Sequence, residues 1–483
     1  MPGQTPKSWM SSAGWGLAIL SFINLFNYLD RFLVPALFES LKHSELQLTD
    51  AELGSLMSGF LAVYTLAAPV FGALGDRRSR PRLIAFGVGF WSLATSLSGF
   101  AGNYAGLLVA RASVGIGEAA YATIAPSLLS DYFPVDRRGR VMAIFFCAIP
   151  VGSALGYVVG GLMNAHFGWR PAFFVAGIPG LALAILCLWL RDPPRGIQDA
   201  PPAARGGPTP GGTDANGAAR AGGASPTAGT AHPPLAETRP PRNRSASNAP
   251  SDRCAAPASA APAADRALDI KTTYQSLLRN RPYVFTVLGY AAYTFALGGL
   301  ASWMPAFLER VRGMSPDTAT VQFGEIVVIT GFVGTFVGGW LGDYCAKYSK
   351  QAYLLVSAAA TLVAAPFAWF ALTVASSTEY IVCMVIAQLL MFLSTGPINA
   401  CIVNIVLPNQ RATAVALEVF AIHLLGDAIS PFLIGAISDA TSLGQALKIV
   451  PAAIVVSAVL WGWAAREQAR VGEVNPTGAS PES

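Results

Sequence analysis

Charge is scarce in this sequence. Asp, Glu, Lys and Arg make up 12% of the 483 residues, about half the share a soluble globular domain carries. With 53% hydrophobic residues and a mean hydropathy of +0.48, a water-facing surface cannot be assembled, which excludes a large soluble core and leaves an integral membrane protein. Cysteine is thinly spread too. Cys147, Cys187, Cys254, Cys345, Cys383 and Cys401 show no CxxC and no histidine at ligand spacing, so neither a disulfide framework nor a zinc site is indicated. There is no GxxxxGK(S/T) run, which argues against ATP-driven pumping, and no cofactor is expected. The first apolar run is too long and too charged for a signal peptide and lacks a small-residue cleavage site. A net charge of +5 is modest and gives no ground for a nucleic-acid partner.

What is present is apolar sequence in long pieces. Twelve runs stand out, at roughly 13–37, 51–75, 83–102, 104–130, 140–165, 171–190, 283–308, 321–343, 351–375, 379–407, 412–437 and 443–465. Nearly all reach the roughly 20 residues that cross a bilayer as a helix, and only helices satisfy their own backbone there. Lys and Arg divide unevenly between the two sets of loops. One side holds Arg77, Arg78, Arg80, Arg82, Arg137, Arg138, Arg140, Lys347, Lys350, Arg411, Arg466 and Arg470, and the other only Lys42, Arg170, Arg310, Arg312 and Lys448. The basic side is then cytoplasmic, with both termini, in a multi-pass protein of the cell membrane. Residues 191–270 are dominated by Ala, Pro, Gly, Arg and Ser and are expected to be a disordered cytoplasmic linker. It joins a six-helix half at 1–190 to another at 271–470, and 471–483 form a disordered tail. The stretch from Ala267 to Arg281 regains apolar residues at helical spacing, so a short surface helix is expected before span seven.

Asn27-Tyr28-Leu29-Asp30-Arg31 places two opposite charges inside the first apolar run. Charge at that depth costs at least about 2.5 kcal/mol per residue, so such groups face the protein interior and are functional candidates. Neighbours on a helix point in different directions, so each needs a partner elsewhere. Arg111 and Glu118 are seven apart on one face of span four. At about 1.5 Å per residue, Arg111 lies roughly 10 Å and Glu118 roughly 21 Å from the start of that span, at depths that Asp30 and Arg31 can reach. The plain alternative is a fixed ion-pair network between spans one and four. His423 and Asp427 share a face of span eleven, with His423 about 16 Å deep. A histidine there suits a proton switch, and an inter-helix hydrogen bond is the plain alternative.

The chain also repeats itself. Val34-Pro35-Ala36-Leu37-Phe38-Glu39 returns as Met304-Pro305-Ala306-Phe307-Leu308-Glu309, and Gly72-Ala73-Leu74-Gly75-Asp76 returns as Gly339-Trp340-Leu341-Gly342-Asp343. Pro134 and Arg137 return as Pro408 and Arg411. Three matches at nearly one offset indicate duplication. With both termini on one side, the halves are parallel repeats, so the expected fold is all-α, with 12 transmembrane helices as two parallel six-helix repeats, as in major facilitator transporters. At the repeat offset Asp30 and Arg31 correspond to Leu300 and Ala301, so a cavity polar on one wall and apolar on the other is expected.

The motifs resemble that superfamily in detail. Gly72 to Arg80 is similar to its span two–three loop signature, with Ser79 in place of the usual glycine. Arg111 with Gly115 and Gly117 resembles the span-four motif. Gly152, Gly156, Gly160 and Gly161 resemble the span-five glycine motif of many antiporters, with Tyr157 where proline is usual. Four stretches taken together resemble the Spinster-like branch: Asn27 to Arg31; Val114-Gly-Ile-Gly-Glu-Ala-Ala-Tyr121; Ile124-Ala-Pro126 with Asp131-Tyr-Phe-Pro134; and His423-Leu-Leu-Gly-Asp-Ala-Ile-Ser-Pro431. That resemblance implies export or egress of lysolipid or sphingolipid-like molecules, often coupled to protons.

The residues then take the following expected roles. Asp30, Glu118, His423 and Asp427 couple protons. Asn27, Tyr28, Arg31, Arg111, Glu118 and Tyr121 bind the substrate. Asp76, Arg77, Arg80, Asp131, Asp343 and the row Gly152, Gly156, Gly160 gate it, with Asp76 facing the start of span eleven in a latch at the basic end. A positive-inside anchor explains part of that cluster, and close helix packing explains the glycines. The expected partners are the bilayer, protons and an amphipathic or lysolipid substrate, moved by a monomer. An exchanger of small organic anions or drugs, with Arg111 as the clamp, is the alternative within transport. A lipid enzyme or a sensor is a further alternative, but no nucleophile–base pair is evident beside His423 and Asp427.

Overall fold

The computed structural model of the chain describes residues 6–195, 197–198, 270–407 and 410–474. Its first repeat comprises span one (Pro6–Leu33), span two (Asp50–Arg77), span three (Arg80–Ser98), span four (Tyr104–Tyr132), span five (Val135–Phe146 and Ala148–Phe167) and span six (Trp169–Cys187). Its second comprises span seven (Arg281–Arg310), span eight (Pro316–Ala346), span nine (Ala352–Thr373), span ten (Ser377–Asn404), span eleven (Arg411–Ala440, in three pieces) and span twelve (Ile449–Val474). An amphipathic helix, Ile270–Arg279, precedes span seven.

The sequence sets these boundaries with local chemistry. Thr49 caps span two in a capping box with Glu52, Asn103 caps span four, and Asn280 caps span seven. Gly168 and Gly313 adopt positive φ, of 80° and 69°, at the turns after spans five and seven, where a side chain would be strained. Among the described residues, eleven helices are long and apolar enough to cross a membrane. Arg80–Ser98 is not among them, because its 19 residues include Arg80, Arg82 and several hydroxyl side chains. It is held by the bundle instead.

Helix pairing repeats between the halves. Spans two and four, three and four, and three and six pack together in the first repeat, as do eight and ten, nine and ten, and nine and twelve in the second. Between the repeats, span two packs on span eleven and span five on span eight, the pairing that a twofold relation demands. Two spans depart from the straight helices expected of them. Span five breaks at Cys147, and span eleven carries a five-residue π-turn at His423–Asp427.

The linker expected to be disordered lies outside the described residues at 196 and 199–269, as do residues 475–483 of the tail. Residues 191–195 are described and grip the bundle. Asp192 accepts hydrogen bonds from the Arg80 backbone amide (3.0 Å) and guanidinium (2.8 Å), capping the start of span three. Arg195 donates to the Gly75 and Arg78 carbonyls at 2.6 and 2.9 Å, covering the free end of span two. Composition alone concealed these two charges, whose complements are helix ends.

Candidate functional site

Span four is the platform of the site. A Cβ on Gly115 would lie 2.5 Å from the Phe60 carbonyl of span two, and one on Gly117 would lie 2.4 Å from the Gly87 carbonyl of span three. Only glycine allows this approach, and it buries Arg111 and Glu118 completely. Arg111 meets the carboxylate of Asp30 at 3.2 and 3.4 Å, and Thr95 donates to the same carboxylate at 2.9 Å. Arg31 donates to Glu118 at 2.9 Å. The two neighbours of span one therefore point to two partners on span four. Hydrogen-bonding capacity remains unused among the described residues, at Asn27 Nδ2, Arg31 Nε, Arg111 Nε and Nη2, and Glu118 Oε1.

Aromatic rings surround Arg31. Its guanidinium lies 5.1 Å from the ring centres of Tyr28 and Phe60 and 5.2 Å from that of Tyr64, within cation–π range. Tyr64 then forms a T-shaped pair with His423 of the second repeat, with centroids 5.9 Å apart and planes at 81°. His423 Nδ1 lies 3.0 Å from both carboxylate oxygens of Asp427. The π-turn is lodged where Gly426 meets Thr294 and the Ala291 carbonyl of span seven. Such turns concentrate at functional sites, but no periodicity in the sequence announced this one.

A cavity of about 570 Å³ lies between the repeats. Tyr28, Phe32 and Tyr157 line it from the first repeat, and Leu300, Phe323 and Phe392 from the second. Span five reaches span one through its glycines. Cβ atoms on Gly152 and Gly156 would each lie 2.5 Å from carbonyls of Leu25 and Leu29, and one on Gly160 would lie 2.7 Å from Ala36 Cβ. This close seating sets Tyr28 and Phe32 at the cavity wall.

The expectation of one polar wall, built from these residues, needs correcting. Of the substrate-binding candidates, only Tyr28 lines the cavity; Arg31 turns from it to meet Glu118, and Arg111 and Glu118 lie on span four, where opposite charges and rings solvate them better than an apolar wall. Tyr121 faces away as well, donating its hydroxyl to the Leu20 carbonyl at 2.5 Å and so tying span four to span one.

The gating candidates separate too. Arg80 is buried and paired with Asp131 (2.5 Å) and Asp192 (2.8 Å), all within the first repeat. Asp76 and Arg77 are exposed. Asp343, their counterpart, accepts from Tyr353 at 2.9 Å within the second repeat. The charged bridge between repeats lies at the opposite end and was missed in the sequence. Arg310 donates to Asp50 at 2.6 and 2.9 Å and to Glu39 at 2.5 and 2.9 Å. Lys42 and Ser438 also reach Asp50, and Asp439 caps the start of span two through the Asp50 and Ala51 amides, both at 2.8 Å. The signal was there: Glu39 ends the first copy of the repeated segment, and Arg310 directly follows the second.

Two parallel six-helix repeats, clamped at one end around an apolar cavity, define a membrane transporter of the major facilitator architecture rather than an enzyme. Residues 20–431 match the family model of the Major Facilitator Superfamily. Over 454 residues the chain is 31% identical to the protein spinster of Drosophila melanogaster, covering 91% of this chain and 65% of the fly protein. It is 31% identical over 473 residues to a sphingosine-1-phosphate transporter of Danio rerio, covering 92% and 82% of the two chains. In fold it matches the crystal structure of a bacterial homologue of the human lysosomal transporter Spinster in an inward-facing, unoccupied conformation, with a TM-score of 0.74 at 20% identity over 97% and 99% of the chains. The chain belongs to the Spinster-like family of the major facilitator superfamily.

Proposed function

We propose that this transporter moves a lysolipid- or sphingolipid-like amphiphile by alternating access, linked to protons. The observation that carries this reading is the cavity itself. Its volume suits a ligand of drug size, and its apolar wall suits an acyl chain better than a small hydrophilic anion. Arg31 stands behind the Tyr28 ring on the same helix, where a polar headgroup that displaced the ring would meet it. The zebrafish relative's named substrate, sphingosine-1-phosphate, has this division into chain and charged head.

Proton linkage is assigned to Asp30, Glu118, His423 and Asp427. A buried carboxylate that parts from its arginine as the repeats rock must take up a proton or remain as an isolated charge in a medium that penalises it. The arginine-rich end faces the cytoplasm by the charge bias of its loops. The Arg310 clamp then closes the outer end, and the cavity communicates with the inner one.

The test is uptake or efflux in proteoliposomes with an imposed pH gradient, screened across lysolipids and organic anions. A gradient-driven flux competed by long-chain lysophospholipids supports the proposal. Competition by short organic anions alone returns the reading to an anion exchanger.

A further inference from the structure

Buried carboxylates within the described spans fall into two groups. Asp30, Asp50, Glu118 and Asp131 each meet an arginine. Glu418, on span eleven, is 2% exposed and has no ion-pair partner among the described residues. The elements packed around it bring rings and amides; the amphipathic helix also carries Lys271 and Arg279, the latter exposed at its end, and no ion pair joins a cation to Glu418 among the described residues. Span seven presents Tyr283 and Tyr290 within electrostatic reach, and its charges stand at its ends. Tyr283 donates to the Ala414 carbonyl at 2.8 Å, and Tyr290 takes the amide of Asn399 from span ten at 3.1 Å. The single charge of span ten, Glu379, lies at its far end. The amphipathic helix brings Tyr274 near Tyr283. His423, five residues along the same helix, lies within electrostatic reach and is able to become positive, and Asp427 holds it.

We propose that Glu418 is a proton-carrying carboxylate of the second repeat, holding the transported proton while both arginine pairs of the first repeat are closed. The inference rests on the proton-linked reading above and adds to it a residue and a state. An ionised carboxylate with no cation and almost no water costs several kcal/mol in a bilayer, whereas its neutral acid can donate and accept hydrogen bonds among tyrosines. Seven residues from Arg411, it stands about 10 Å below the basic end of span eleven, within reach of that surface. His423, within electrostatic reach of Glu418, meets Tyr64, whose ring lies under Arg31, so the charge state of Glu418 acts on groups that face the opposite repeat.

The experiment compares Glu418→Gln and Glu418→Asp with the wild-type transporter in proteoliposomes, following lysolipid flux against pH with and without a gradient. Gln keeps the hydrogen bonds of the neutral acid but cannot titrate. Loss of gradient-driven flux in Glu418→Gln, with exchange at equal pH and thermal unfolding unchanged, supports the assignment. Gradient-driven flux equal to wild type overturns it, while the proton-linked reading stands. Should the wild type itself ignore the gradient, that reading and this inference fall together. If Glu418→Gln does not reach the membrane, Glu418→Asp decides: a displaced pH midpoint supports the assignment and an unmoved one overturns it.

Discussion

The Tyr157 hydroxyl donates to the Ala301 carbonyl at 2.6 Å, crossing from one repeat to the other. That carbonyl is free because the residue four places on is Pro305, which has no N–H to give it. A carbonyl left without a donor is unfavourable in lipid, so the proline of span seven and the tyrosine of span five act as one unit. Tyr157 stands where related glycine motifs carry proline, and its ring also packs between Phe32 and Phe323 at the cavity wall. Tyr157→Phe should keep this packing and lose the bond. The described conformation would lose about 1 kcal/mol, a shift of about fivefold in the balance of states. Cys147, exposed and lining the same cavity, provides the readout. Its maleimide labelling, with the other cysteines replaced by serine, should slow as the population moves to the opposite state.

The glycine row makes a second prediction. Gly156→Ala would set a methyl 2.5 Å from the Leu29 carbonyl and 3.0 Å from Phe32 Cβ. Helix backbone cannot yield to it, so span five must move off span one, at about 1–3 kcal/mol. Thermal unfolding in detergent should fall accordingly, and lysolipid competition should weaken as Tyr28 and Phe32 shift. Gly72, with nothing near its Cβ position, is the control: Gly72→Ala should change neither.

Much of this was legible in the sequence because it depends on hydrophobic length and on duplication. The twelve spans, the parallel repeats and the depth match between span one and span four all follow from counting. What was not legible depends on which way a helix faces. Counting places Arg31 and Glu118 at the right depth, but it cannot tell that they turn to each other rather than to the cavity. The Arg310–Asp50 bridge joins residues 260 positions apart, and neither residue is unusual in its own loop. Asp192 and Arg195 were hidden in a segment whose composition reads as linker.

The bridge leads to the third prediction. Arg310→Ala would leave Asp50, 1% exposed, with only Lys42 to balance it, and Glu39 with only His43 nearby. Removing one partner of a largely buried ion pair costs about 3 kcal/mol, borne by the state clamped at this end. Cys147 labelling should slow more than in Tyr157→Phe. The neutral combination Arg310→Met with Asp50→Asn and Glu39→Gln should recover part of it. If labelling is unchanged in Arg310→Ala, the bridge does not select the state.

The linker stem gives a fourth. Arg195→Ala uncovers the Gly75 and Arg78 carbonyls at the end of span two, a loss of about 1 kcal/mol confined to this loop. Trypsin should cut faster at Arg77 and Arg78, both exposed, while global unfolding moves little. Asp192→Asn, which weakens the cap on span three and the hold on Arg80, should act in the same direction.

Tyr64 meets the charged sets of both repeats, with Arg31 over its ring and His423 in a T-shaped arrangement with it. If the repeats exchange information about protonation through this contact, the ring carries it. A change of charge on His423 alters its attraction to the ring, and the ring's hold on Arg31 in turn competes with Glu118, which Arg31 bonds at 2.9 Å. Tyr64→Phe retains the ring and should keep most gradient-driven flux. Tyr64→Leu removes it and should abolish the gradient's effect while exchange at equal pH persists. A double-mutant cycle then separates coupling from simple packing. His423→Asn should lower gradient-driven flux strongly in the wild-type background and hardly at all in Tyr64→Leu, because the path it would break is already gone. Additive losses in the cycle would mean that each repeat senses protons on its own, and that Tyr64 serves only to pack span two against span eleven.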